Sequence, residues 1–124
     1  MAMLMLVNRP AAPPLMTVLL TEIQSLAFLG EADRGGEIRL AALNNQPTPQ
    51  GRVRELWALP VGATAPTSPD LLPEDGRIVV RPAQIRPTPG MLIEITLEPP
   101  GGSPIGRPTG PVLFIGRLMA ARGT

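Results

Sequence analysis

The chain has 124 residues, enough for one domain of ordinary size. Thirteen Gly and seventeen Pro make up about a quarter of it, which excludes a helical bundle, because few stretches escape a helix breaker. An apolar fraction of 44% and a mean hydropathy of +0.16 still supply a core, and eleven basic against ten acidic residues leave a formal charge of +1.

The missing residue types exclude more. There is no Cys, His, Tyr or Lys, and every basic residue is Arg. Without Cys there are no disulfides, thiolate metal sites or cysteine nucleophiles. Without His the usual general base near neutral pH and the commonest metal ligand are gone. An enzyme built from this set would work with carboxylates alone, so the expectation is no catalytic residue, no metal and no cofactor. Nucleic acid is excluded as a partner: the only aromatics are Phe28, Trp57 and Phe114, and the densest basic spot is Arg52-Val53-Arg54. That leaves no basic groove with stacking platforms.

In chain order, Met1–Val7 is apolar but far short of the roughly 20 residues that span a bilayer. It reads either as a frayed or tag-like terminus or as the stub of a membrane helix. Residues 8–14 form a stiff Pro-rich linker. From Leu15 the pattern is β: Leu15–Thr21 holds three β-branched residues, and Leu26–Ala32 follows after a polar break. Asp33-Arg34-Gly35-Gly36 is a hairpin turn, so Leu26–Ala32 should pair with Glu37–Ala41, placing Ile38 and Leu40 inward. Val53–Leu59 is a strand stopped by Pro60, Thr67-Ser68 has room for a short edge strand, and Arg77–Arg81 has an apolar centre.

Met91–Glu98 alternates most cleanly. Met91, Ile93, Ile95 and Leu97 face one way and Leu92, Glu94, Thr96 and Glu98 the other, so it should be a half-buried strand. Val112–Leu118 is apolar on both faces apart from Arg117 and reads as a central strand buried on both sides. Seven or eight short, mainly antiparallel strands predict an all-β, immunoglobulin-like sandwich over residues 15–118, with 1–14 as stub and linker and 119–124 as a tail. Ile38, Leu40, Trp57, Ile93, Ile95, Leu97 and Phe114 should share one core.

The segment from Glu98 to Pro111 is fourteen residues with five Pro and four Gly. Connections this long inside a compact domain are either functional or disordered. Two readings stand: a connection frozen by its prolines, or a preorganised binding loop. In the second, Gly101, Gly102, Ser103, Ile105 and Arg107 are the candidate binding residues, while Pro108, Gly110 and Pro111 hold the far end. It is no Walker-type phosphate loop, having neither the Gly-Lys-Ser/Thr ending nor a following helix.

Leu97-Glu98-Pro99-Pro100-Gly101-Gly102-Ser103-Pro104, continued by Pro108-Thr109-Gly110-Pro111-Val112-Leu113, resembles the C-terminal domain of the anti-sigma-K factor family. Glu55-Leu56-Trp57-Ala58-Leu59-Pro60 and Leu71-Leu72-Pro73-Glu74-Asp75-Gly76 support the resemblance, which runs roughly from Pro14 to Leu118. Ile105 and Arg107 depart from the small residues usual there. The resemblance implies a single-pass cell-membrane protein whose extracytoplasmic (periplasmic) domain is a sensor or regulator. A cytoplasmic segment, absent from this chain, would hold an extracytoplasmic-function sigma factor. An intramembrane-signalling protease or a periplasmic ligand would be the other partner. The alternative is a cell-envelope binding module for a small ligand, carbohydrate or protein, with no link to transcription.

Single residues point to structure before chemistry. Glu55 shares a strand face with Trp57 and reads as a structural ion pair with a neighbouring Arg ahead of a catalytic acid. Trp57 reads as core, its indole N–H in need of an acceptor. Asp70, Glu74 and Asp75 are thin for calcium. Glu94 and Glu98, four residues apart on a strand, are about 13 Å apart and too distant for a glycosidase pair. Ser103 lacks the surroundings of a nucleophile elbow.

Overall fold

The computed structural model describes residues 15–21, 25–33 and 35–120. Expectations for residues 1–14 and 121–124 lie outside them. The described chain is all-β and antiparallel: β1 (Leu15–Leu20), β2 (Leu26–Ala32), β3 (Ile38–Ala42), β4 (Val53–Leu59), β5 (Thr67–Leu72), β6 (Arg77–Val80), β7 (Leu92–Glu98), β8 (Val112–Arg117) and β9 (Met119–Ala120). No helix among the described residues is long and apolar enough to cross a membrane.

The strands form one nearly closed sheet in the order β5-β4-β7-β8-β1-β2-β3-β6, with β9 beside β1. It reads as two four-stranded halves. β1-β2-β3-β6 pair continuously through Leu15↔Ala32, Ala32↔Ile38 and Ile38↔Val80. β5-β4-β7-β8 pair through Glu55↔Leu71, Glu55↔Thr96 and Ile95↔Phe114. One seam is light: β1 meets β8 only at Leu20↔Ile115, and β9 adds Leu15↔Ala120 and Met16↔Met119. The sheet therefore continues past Leu118 into residues read above as a tail.

At the other seam, the turn after Leu72 carries the chain directly from one end of the sheet order to the other. Arg54, only 3% exposed, holds that turn by donating to the backbone carbonyls of Pro73 and Glu74, both at 3.4 Å. Burial pulls its guanidinium below the usual arginine range, with the Glu74 carboxylate acting in the opposite direction.

The core lies between the halves. Leu19, Phe28, Ile38, Leu40, Leu56, Ile93 and Ile95 are buried in it, and Phe114 packs on it with its ring 5.1 Å from that of Phe28. Two expectations need correcting. Leu97 is half-buried, and Trp57, though 1% exposed, is no part of this cluster. Register explains why: Trp57 stands opposite Glu94 and so points to the outer face of the sheet, while its neighbours Leu56 and Ala58 point in. β8 is an interior strand of the sheet order, as expected, but it is not buried on both sides, since Val112 and Ile115 are exposed on it.

Candidate functional site

A tryptophan on the outer face of a sheet stays dry only if something covers it. β7 presents Thr96 and Glu98 on that same face, and both are 0% exposed. The expectation that this face of β7 points to solvent holds only for its first half, where Leu92 and Glu94 are half-buried. The residues after Glu98 fold back over its second half and are tied there by hydrogen bonds.

Glu98 is the first anchor. Its carboxylate accepts from the Thr96 hydroxyl, from the Thr109 hydroxyl and backbone N–H, and from the Gly110 N–H. Trp57 completes the chain of bonds, its indole N–H donating to Thr96 Oγ1 at 2.8 Å. Burial alone would push the Glu98 carboxyl up. The donors from Thr109, Thr96 and Gly110 outweigh it and hold the group below the usual carboxylate range.

Glu55 is the second anchor. It is buried, and its Oε1 accepts the Ser103 backbone N–H at 2.8 Å. The ion pair expected from the sequence is replaced by a bond to loop backbone; no described arginine is ion-paired to it. Burying a carboxylate is tolerable only with such donors. Gly102 makes the approach feasible: with φ at +95°, its missing Cβ would lie 2.9 Å from Leu71 Cδ2 and 3.1 Å from Glu55 Oε1. Gly110 sits still closer to backbone, for a Cβ there would fall 1.7 Å from the Leu97 carbonyl oxygen. Pro111 accepts the Leu97 N–H at 3.1 Å, fixing the return of the chain.

Between the anchors lies a short exposed tip. The Ser103 hydroxyl donates to the Arg107 carbonyl and accepts the Ile105 N–H at 3.2 Å, so one side chain closes the turn from inside. Pro104, Ile105, Gly106 and Arg107 are all exposed, and Ile105 keeps 56% of its surface in solvent. Gly101 is exposed beside the buried Gly102, and Pro108 is half-buried. The structure thus brings together Glu55, Trp57, Gly102, Ser103, Gly110 and Pro111 as a base, and sets Ile105 and Arg107 apart on its summit.

Thr96, Glu98 and Thr109 were not singled out from the sequence as anchors. Their signal was present in the motif itself: a carboxylate before Pro-Pro and a threonine before Gly-Pro, at the two ends of one loop. Elsewhere the acids serve local turns. Asp70 and Asp75 accept the N–H of Leu71 and Arg77, and Asn45 donates to the Glu74 carbonyl at 2.8 Å. Among the described residues no three acidic side chains gather as a cation site. Searches of curated proteins and of solved structures return no match. The family model described as Anti-sigma-K factor rskA, C-terminal, matches residues 2–112, nearly the whole chain including the anchored loop, and the protein belongs to that family.

Proposed function

We propose that this chain is the extracytoplasmic sensor and regulatory domain of a membrane-bound anti-sigma factor, with no catalytic role of its own. Family membership supports a regulatory part and a sigma factor as the eventual target. The anchored loop supports the input. A tip held by two buried carboxylates and closed by Ser103 is ordered before it meets anything, so little entropy is lost on binding. Ile105 offers an apolar contact and Arg107 a charged one. A periplasmic ligand or protein seated there, or a protease gaining access to residues 8–14, would set how firmly the sigma factor is held by another part of the full-length protein. Such coupling requires that the partner bind the two states with different affinity.

The test replaces Pro104–Arg107 by Gly-Ser-Gly-Ser in the full-length protein and measures sigma-dependent transcription. Retained basal repression with a lost response to the inducing condition is expected. An unchanged response removes the tip from the signal path. The envelope-module reading predicts instead that the tip variant loses binding to cell-envelope fractions while sigma-dependent transcription never changes, with or without the domain.

A further inference from the structure

The sheet has two ends, β5 and β6, and among the described residues no strand pairs with the outer edge of either. An unpaired edge is a template for another strand, and proteins blunt such edges with proline, charge or broken register. β5 is blunted. Its register breaks between Leu56 and Ala58 of β4, Pro69 has no N–H to offer, and the Leu71 N–H is taken by Asp70 Oδ1 at 2.7 Å. β6 carries no such device: Ile78-Val79-Val80 is an unbroken β-branched run.

The hydrogen-bond pattern shows which groups that edge presents. The Ala42 N–H donates to the Gly76 carbonyl at 2.9 Å, so the ladder between β3 and β6 starts with a bonded pair. Bonded pairs recur at every second residue of an antiparallel ladder, so Ile78 and Val80 turn their backbone groups toward Leu40 and Ile38. The far side of β3 agrees: Leu43 donates to Ala27 at 2.8 Å, which turns Ala41 and Arg39 toward β2. Arg77 and Val79 therefore aim their backbone groups away from β3. The Arg77 N–H is taken by Asp75 Oδ1 at 3.0 Å. Val79 is left with both its N–H and its carbonyl on the open edge, and 62% of the residue is exposed. The seam beyond it is wet: Asp70 pairs with the fully buried Leu56 and shares its side of the sheet, yet Asp70 is exposed.

Charge limits what can lie there. Arg77 and Arg81 stand two residues to either side of Val79, and both are exposed. Arg81 donates to Glu37 Oε1 and still keeps 76% of its side chain in solvent; among the described residues Arg77 has no ion pair. A second copy of the chain, paired edge to edge about Val79, would set Arg77 of one copy against Arg81 of the other, twice over. Like charges directly opposite each other are destabilising, so self-pairing is disfavoured.

We propose that the β6 edge takes an extended acidic segment of another protein as an added antiparallel strand. An apolar residue of that segment lies opposite Val79, and carboxylates two residues to either side lie opposite Arg77 and Arg81. Backbone bonds supply the hold and alternate side chains the choice of partner. The positions between turn inward toward Asp70 and suit uncharged residues. With only four residues in β6, the contact is weak and reversible, with Kd on the order of 0.1–1 mM. It does not rest on the signalling role of the loop tip.

The test titrates the 124-residue chain with acetyl-Thr-Glu-Thr-Val-Thr-Glu-Thr-amide and follows the backbone amides by NMR. Saturable shifts centred on the Val79 N–H are expected. Replacing both glutamates of the peptide by lysine should weaken binding about tenfold, as should Arg77→Glu in the chain. Arg77→Glu with lysine at the second glutamate should recover binding to within about threefold. Methylating the backbone nitrogen of the peptide's valine should abolish binding, an arm that leaves the folded chain untouched. No shift at Val79 up to about 2 mM peptide, equal binding of the lysine peptide, single losses without charge-swap recovery, indifference to the methylation, or Val79 shifts that follow chain concentration without peptide would each overturn the proposal.

Discussion

The Trp57 indole and the Glu98 carboxylate, on neighbouring strands, are joined through a single hydroxyl: Trp57 Nε1 donates to Thr96 Oγ1 at 2.8 Å and that hydroxyl donates to Glu98 Oε2 at 2.5 Å. Thr96 is fully buried, so neither bond can be replaced by water without opening the loop. Thr96→Val keeps the shape and removes both bonds. It should cost about 2–4 kcal/mol, because a buried N–H is orphaned and a buried carboxylate loses a donor. Urea unfolding followed by the fluorescence of Trp57, the chain's one tryptophan, measures it directly, and Thr96→Ser should recover most of the loss.

Acid should loosen the loop. The Glu98 carboxyl titrates lower in the folded chain than in the unfolded one, so its contribution is fully present above the ordinary glutamate range and disappears as pH falls through the folded value. Asp33, held mainly by the Glu37 backbone N–H, and Glu37, held by Arg81 and Arg39, shift the same way. Glu98→Gln should therefore be less stable at neutral pH and show a shallower, though not flat, fall in urea midpoint between about pH 6 and pH 2.

Glycine positions in the loop should separate sharply. Gly110→Ala forces a methyl into the Leu97 carbonyl and should lower the melting temperature severely or prevent folding. Gly106→Ala meets no atom within 4 Å and carries only the strain of φ at +74°, about 1 kcal/mol. Thermal scans of the two variants side by side check the contrast. Equal effects would mean that the return of the loop is not packed as described.

The tip should be silent in stability. Ile105→Ser and Arg107→Ala alter exposed side chains at the summit and should leave unfolding free energy within about 0.5 kcal/mol. Ile95→Ala, in the core, should cost about 2–5 kcal/mol. Denaturation of the three variants under one condition compares them.

Most strands were legible in the sequence because period-two patterning and Gly/Pro punctuation are local. The Leu26–Ala32 and Ile38–Ala42 pairing follows from the turn between them, and Thr67–Leu72 lies where a short edge strand was expected. What lies over a face is not local. Thr96 and Glu98 look like solvent positions on an alternating strand until Thr109 and Gly110, eleven and twelve residues on, return to bind Glu98. Trp57 was read as core for the same reason, since burial on the outer face and burial between facing halves of the sheet leave the same mark on a single strand. The opposite error arose at Val112–Arg117, where an apolar run suggested cover on both sides and the outer side is open. Its apolar character belongs to a surface, which composition cannot distinguish from an interior.

Leu15 and Ala120 face each other across β1 and β9. The first and last described strands are thus neighbours, and following the backbone from one to the other traces almost a ring. Where that ring is cut is a matter of convenience: a short linker from residue 120 to residue 15, with a new start in the exposed stretch 61–65, keeps every strand beside its present partners. Such a permuted chain would turn any fusion attached to its new ends away from the β1–β9 corner and out toward the β4–β5 connection, giving control over which side of the domain faces a bead, a surface or a membrane.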